Sequence, residues 1–221
     1  MKRFFIYVSF IALLFVPAIT NAQAFADEIA SFKKADSISY AFANQHPIVF
    51  AGSSSFRKWQ NMQADFKGYP VLNRGFGGST LPDVIHYAND VIINYAPKQV
   101  VIYCGENDLA SSDSITATIV FKRFKELFFL LRKNLPAVSI AFVSIKPSPS
   151  RQKIQPAVIA TNKMIKHFLK NKKRAAYINI YDEMLNADGS MRKELFVSDN
   201  LHMNEKGYAI WKKIIEPYLL K

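Results

Sequence analysis

Asp199 and His202 stand three apart in a stretch with neither helical nor strand periodicity. A carboxylate at that interval can accept from one imidazole nitrogen, fix the tautomer and leave the other nitrogen free as a base. Asp83 and His86 repeat the interval. They follow Leu81-Pro82 in a helical stretch, however, where it merely makes them neighbours on one face. A loop directly before a helix can aim both side chains at one place, so Asp199 and His202 are the preferred pair. His46 and His167 have no such partner and read as surface or packing residues.

A base needs a proton to take. Gly52-Ser53-Ser54-Ser55-Phe56 puts hydroxyls at a strand-to-helix turn, where terminal amides and the helix dipole favour developing negative charge. A serine there is also an ordinary N-cap. Asn73-Arg74-Gly75-Phe76-Gly77-Gly78-Ser79-Thr80 lets a backbone approach a ligand closely, although it lacks the lysine and the spacing of a P-loop. In Gly105-Glu106-Asn107-Asp108 the Asn107 amide can donate to an oxyanion, or the segment can close an Asx-turn. None is decisive singly. Together they supply a nucleophile, oxyanion donors, a base and its orienter, the parts needed for acyl transfer.

These residues need a frame. Apolar runs predict strands at Pro47–Ala51, Pro70–Asn73, Gln99–Cys104, Val138–Ser144 and Ala176–Ile180. Their near-continuous hydrophobicity suits strands covered on both faces. Helical patterns lie between them at about Asp27–Asn44, Phe56–Phe66, Leu81–Asn94, Ile119–Asn134 and Gln155–Lys172, with a last helix at about Asn204–Leu219 capped by Asn204. The alternation predicts one α/β domain with a parallel sheet between helices. Ligands of such sheets bind beyond the carboxyl ends of the strands, and every segment singled out above follows a strand or precedes the last helix.

The set resembles, in this order, the SGNH hydrolases, also called GDSL-type esterases and lipases. Gly52-Ser53-Ser54 is similar to their first block, Gly78 to the glycine of the second, Gly105-Glu106-Asn107-Asp108 to the third and Asp199–His202 to the last, over about Ile48–Tyr208. The resemblance implies a flavodoxin-like three-layer α/β/α sandwich around a five-stranded parallel sheet. It implies Ser54 as nucleophile, His202 as base and Asp199 as its partner. The Ser54 and Gly78 amides and the Asn107 side chain would form the oxyanion hole. The family's Gly-Asp-Ser-Leu reads Gly-Ser-Ser-Ser here, so Ser53, Ser54 and Ser55 compete for the first role. The distances to Gly52 and to Trp59 select Ser54.

Composition sets the context. Lys2 and Arg3, the apolar run Phe4–Ile19 and the small residues Ala22 and Ala24 have the layout of a signal peptide. The expected division is a leader over residues 1–22 and one domain over 23–221, with the product exported to the periplasm or beyond. The run is short for a membrane span. The chain's charge is +12; without the leader, 27 basic residues face 17 acidic ones, a surplus of +10 that favours anionic surfaces or substrates. The densest cluster is Lys170, Lys172, Lys173 and Arg174, where a solvated helix end explains it as well. The single cysteine, Cys104, excludes an internal disulfide. It reads as core rather than as a thiolate nucleophile. No metal cluster, cofactor motif or nucleic-acid-binding motif is evident, and the oligomeric state is not readable.

The expected substrate is a short acyl ester, preferably an O-acetyl group on a carbohydrate. Lysophospholipase, lipase or thioesterase chemistry on envelope lipids is the alternative, and a non-catalytic glycan- or lipid-binding protein is the reading from another class. Arg151, after Pro147 and Pro149, is a candidate contact for an anionic substrate or else a solvated loop residue, and Tyr103 and Glu106 flank the third block as supports.

Overall fold

The computed structural model describes residues 25–39 and 46–221. The expected leader and the end of the first expected helix fall outside them. Five parallel strands form one sheet in the order β2-β1-β3-β4-β5: β1 Ile48–Gly52, β2 Val71–Gly75, β3 Gln99–Tyr103, β4 Ser139–Val143 and β5 Ala175–Ile178. Each lies within about two residues of its sequence expectation.

Alternation along the strands builds two cores. Val49, Ala51, Val100, Ile102, Ile140 and Phe142 face one side, where they meet α1 (Ala26–Ser39), α4 (Leu81–His86), α5 (Ala88–Val91), α6 (Glu106–Ser111), α7 (Ala117–Asn134) and α8 (Gln155–Lys170). Ile48, Phe50, Val101, Tyr103, Ala141 and Val143 face the other side, covered by α2 (Ser54–Arg57), α3 (Met62–Asp65) and α9 (Glu205–Ile215). Side chains of period two on both faces require apolar residues at every position, which is why the strands read as unbroken apolar runs. The architecture is the three-layer sandwich that the resemblance implied.

Two expected helices are interrupted. The stretch Phe56–Phe66 contains two short turns, α2 and α3, because the chain tightens between them: Trp59 donates to the Phe56 carbonyl and Met62 to that of Trp59. Bonds of that span eclipse residues three apart, stacking Phe56, Trp59 and Met62 on the same core. Leu81–Asn94 likewise breaks into α4, α5 and a 3₁₀ turn at Ile93–Tyr95. The last helix ends at Ile215 and continues as a 3₁₀ turn, and Asn204 caps it by accepting from the Lys206 and Gly207 amides at 3.0 and 3.2 Å. No described helix is long and apolar enough to cross a membrane.

Candidate active site

The carboxyl ends of β1, β2 and β3 sit side by side, with Gly52 paired to Gly75 and to Tyr103. Gly52 has φ +140°, and a Cβ there would stand 1.9 Å from the Tyr103 carbonyl oxygen. Only glycine lets β1 turn into α2 at this spot. Ser54 opens that helix.

Of the three serines, Ser54 meets the imidazole. Its Oγ lies 3.0 Å from His202 Nε2. Ser53 and Ser55 are buried; the Ser55 carbonyl accepts from Tyr208 OH at 2.9 Å, and the Ser53 hydroxyl makes no capping bond to α2. His202 Nδ1 lies 2.6 Å from Asp199 Oδ2, while Asp199 Oδ1 accepts from the Leu201 and His202 amides at 2.9 and 2.8 Å. Partial burial pushes the Asp199 carboxyl upward, but the bonds from the His202 ring and the two amides outweigh it and hold the carboxyl well below the usual carboxylate range. It is an anion at neutral pH.

Lys58 Nζ also stands 3.2 Å from His202 Nδ1. One ring nitrogen cannot donate to a carboxylate and accept from an ammonium at once. The shorter Asp199 contact requires the proton on Nδ1, so Lys58 is a neighbouring charge rather than a second bonding partner. That tautomer leaves Nε2 as an acceptor facing Ser54.

The loop carrying the pair is pinned. Val197 N donates to His202 O, Asn204 N to Leu195 O, and Ser150 N to Asn200 O, at 2.9–3.0 Å. Asn200 adopts φ +54°, the left-handed region in which asparagine is tolerated.

The expected oxyanion donors follow three adjacent strand ends. Among the described residues neither the Ser54 nor the Gly78 amide has a hydrogen-bond acceptor. Gly78 is exposed with φ +74°, a conformation that glycine adopts without strain. Asn107 sits in the first turn of α6 rather than in an Asx-turn. Its Nδ2 donates to Ser79 O at 2.9 Å, and its Oδ1 accepts from Arg151 Nη2 at 2.9 Å. Arg151 thus spends a donor on Asn107, and its other terminal nitrogen stands 3.8 Å from Glu106 Oε1.

Several contacts around the site join residues that the sequence does not pair. Ser79 is fully buried and donates to Gly52 O at 3.0 Å, tying the glycine turn to β1. Glu28 on α1 accepts from Gly77 N at 3.1 Å and pairs with Arg57 at 2.8 Å. Asp108 accepts from Leu81 N and Arg123 at 2.9 and 2.7 Å, joining α6 to α4 and α7. Glu106 accepts from Tyr103, Lys146 and Ser148. A lysine just after an apolar strand looks like a strand end; here it is 1% exposed.

The competing residues stand elsewhere. Asp83 is occupied by the Thr80 amide and hydroxyl at 2.8 and 2.6 Å, so it does not orient His86. His46 Nδ1 contacts Ala96 O at 2.9 Å. Burial and the Asp108 charge push the Cys104 thiol well up from its ordinary range, and it lies 3.6 Å from Ser79 O. A thiol so held is not a thiolate nucleophile at neutral pH.

A GDSL-like lipase from Bacteroides thetaiotaomicron has a similar structure, with TM-score 0.71 and 22% identity over 90% of this chain and 96% of that one. A lipase/acylhydrolase from Enterococcus faecalis matches with TM-score 0.61 and 19% identity, covering 80% and 98%. An acetyl xylan esterase matches with TM-score 0.65 and 17% identity, covering 79% and 100%. No curated relative matches the chain. The profile of the GDSL-like Lipase/Acylhydrolase family matches residues 36–210. Four sequence blocks meeting at one sheet edge and this family match have the same meaning: the chain belongs to the GDSL-like lipase/acylhydrolase family of ester-hydrolysing enzymes.

Proposed function

We propose that the protein is an exported serine esterase that removes short acyl groups, O-acetyl above all, from a hydroxylated substrate such as a carbohydrate. The observation that carries this reading is the line Ser54 Oγ, His202 ring, Asp199 carboxylate, at 3.0 and 2.6 Å. Ser54 Oγ attacks the ester carbonyl as His202 Nε2 takes its proton. The carbonyl oxygen becomes an oxyanion facing the Ser54 and Gly78 amides and the second Asn107 N–H. Collapse breaks the C–O bond, and His202 returns the proton to the leaving alcohol. A water then repeats the sequence on acyl-Ser54, releasing the acid and regenerating the hydroxyl. Asp199 remains ionised throughout and steadies the imidazolium.

The acetyl preference draws support from structural neighbours that are an acetyl xylan esterase and an acetyl esterase. It also draws on a cleft of about 730 Å³ beside the Asp199 loop, lined by Gln152, Gln155, Asn186, Ser190 and Asn200 among others. The amides and hydroxyls of this cleft, with Lys193 and Glu194 also in the lining, suit the hydroxyl groups of a sugar better than an acyl chain. Export rests on the leader-like N-terminus. The reading is tested with chromogenic esters of increasing acyl length and with acetylated glycans. Turnover should be highest for acetyl and fall with chain length. A steady rise toward long chains would overturn the acetyl assignment.

One observation favours contact with an anionic envelope surface. The helices α7 and α8, with the turn to Arg174, hold eleven basic residues against Glu126 alone, a local surplus of +10 out of +12 for the whole chain. Phe129 and Ile159 are exposed on the same helices. Such a face is attracted to anionic lipid, at about 1 kcal/mol per basic residue near the surface. The protein should therefore sediment with vesicles containing phosphatidylserine and not with neutral ones. Changing Lys170, Lys172, Lys173 and Arg174 to Gln should weaken sedimentation markedly, leaving seven of the eleven basic residues, without altering turnover of a soluble ester. Equal sedimentation by that variant would refute the contact.

A further inference from the structure

A buried charged cluster behind Asn107 takes no part in proton transfer, yet it ends on an oxyanion donor. Glu106 opens α6 after β3, and Lys146 and Ser148 follow β4; the three are 4%, 1% and 3% exposed. Glu106 Oε2 accepts from Lys146 Nζ and from Tyr103 OH, and Oε1 from Ser148 Oγ. Arg151 Nη1 stands 3.8 Å from Glu106 Oε1, and Arg151 Nη2 donates to Asn107 Oδ1. Burying an ion pair in place of apolar side chains is seldom a gain in stability, so the cluster points to a positional role.

The need for one follows from the asparagine itself. An amide has nearly the same shape when turned end for end, but the turned form would aim Oδ1 at a developing oxyanion and repel it. A guanidinium carries donors and no acceptor. Beside Arg151, therefore, the amide is stable only with its oxygen toward the arginine. The Ser79 carbonyl, an acceptor, selects Nδ2 on the other side. Donation to Oδ1 also polarises the amide and makes its N–H groups stronger donors.

We propose that Arg151 is a positioning residue of the oxyanion hole. Its guanidinium sets the orientation of the Asn107 amide, and the Glu106–Lys146–Ser148 cluster sets where the guanidinium stands. The inference rests on the esterase reading above, and it assigns Arg151 a role other than grasping an anionic substrate.

The test is a double-mutant cycle on a chromogenic acetyl ester. Asn107→Ala should lower kcat by about 10²–10³, as loss of one oxyanion donor does, and Arg151→Ala by about 10–10² with little change in KM. Arg151→Lys should recover only part of the loss, because an ammonium lacks the planar fork. The double variant should be no slower than Asn107→Ala within about twofold, since an arginine that acts through Asn107 has nothing left to orient. Losses that multiply in the double variant would overturn the proposal. So would a defect confined to the KM of anionic esters, which would make Arg151 a substrate contact.

A second readout does not depend on activity. In Ser54→Ala protein, the side-chain amide NMR signals that vanish in Asn107→Ala should shift when Arg151 becomes Ala and remain in place when Lys58 becomes Ala. Unchanged Asn107 signals in the Arg151 variant would refute the positioning role even with the esterase reading intact. A wild-type protein that neither turns over esters nor labels at Ser54 would instead refute the esterase reading, with the NMR comparison still deciding the role of Arg151.

Discussion

Ser54→Ala is expected to lower ester turnover by about 10⁴ or more while the protein stays folded. The hydroxyl is half-buried, and among the described residues its one side-chain partner is His202. Removing it leaves no buried group unpaired, so stability should change by no more than about 0.5 kcal/mol. The loss should not reach the uncatalysed rate, because the oxyanion donors alone retain about 10³–10⁴ over water when a triad member is missing. Ser53 and Ser55 cannot substitute, since both are buried and Ser55 is held beneath Tyr208. Rates on an acetyl ester, together with a fluorophosphonate adduct mapped to a single peptide, check both parts. Near-full activity in the variant, or an adduct on Ser53, Ser55 or Cys104, would sink the assignment.

The pair Asp199 and His202 was legible because its geometry is local: three residues, one loop and a capped helix behind it. The Ser54 turn was legible for a related reason, since Gly52 marks where the strand must bend. The strands were legible because burial on both faces leaves no polar position to interrupt the apolar run. Helices α2–α5 were less so. Tertiary packing of Phe56, Trp59 and Met62 overrides the local pattern, and no glycine or proline punctuates the break after α2.

The Arg151 connection was hidden for another reason. Arg151 and Asn107 are 44 residues apart, and Lys146 and Glu106 are 40. Only the adjacency of β3 and β4 brings those strand ends together. Sequence spacing predicts that both segments lie at the sheet's carboxyl edge; it is silent on which strands are neighbours. Glu28 is the same case. It sits 49 residues from Gly77 on a helix whose pattern predicts only that it covers the sheet.

Glu106→Gln is expected to cost about 3–5 kcal/mol, because it removes one partner of a buried ion pair and leaves the other charge uncompensated. For a domain of this size each kcal/mol moves the melting temperature by about 2–4 °C, so melting should fall by about 6–20 °C at pH 7. Glutamine keeps the volume but has a single acceptor oxygen, so it can accept from Lys146 and Tyr103 or from Ser148, not from both sides; the larger loss is the charge facing Lys146. The pH dependence identifies the cause. Burial raises the Glu106 carboxyl, but Lys146, Arg151 and the Lys146 and Ser148 hydrogen bonds outweigh it and hold the carboxyl below its ordinary range. A depressed carboxyl contributes stability in full above its unfolded value, about 4.3, and loses it as pH falls through the folded value. The melting curves of wild type and variant should therefore converge under acid, where a protonated Glu106 and a glutamine are alike. A gap that stays constant down to pH 3, or no gap at pH 7, would refute the account. Adding Lys146→Met should restore most of the stability, since an apolar replacement of a buried pair is often neutral. It should not restore the rate. The charge that anchors Arg151 would still be missing, and a protein as stable as wild type with a slow Ser54 would separate the two roles of this cluster.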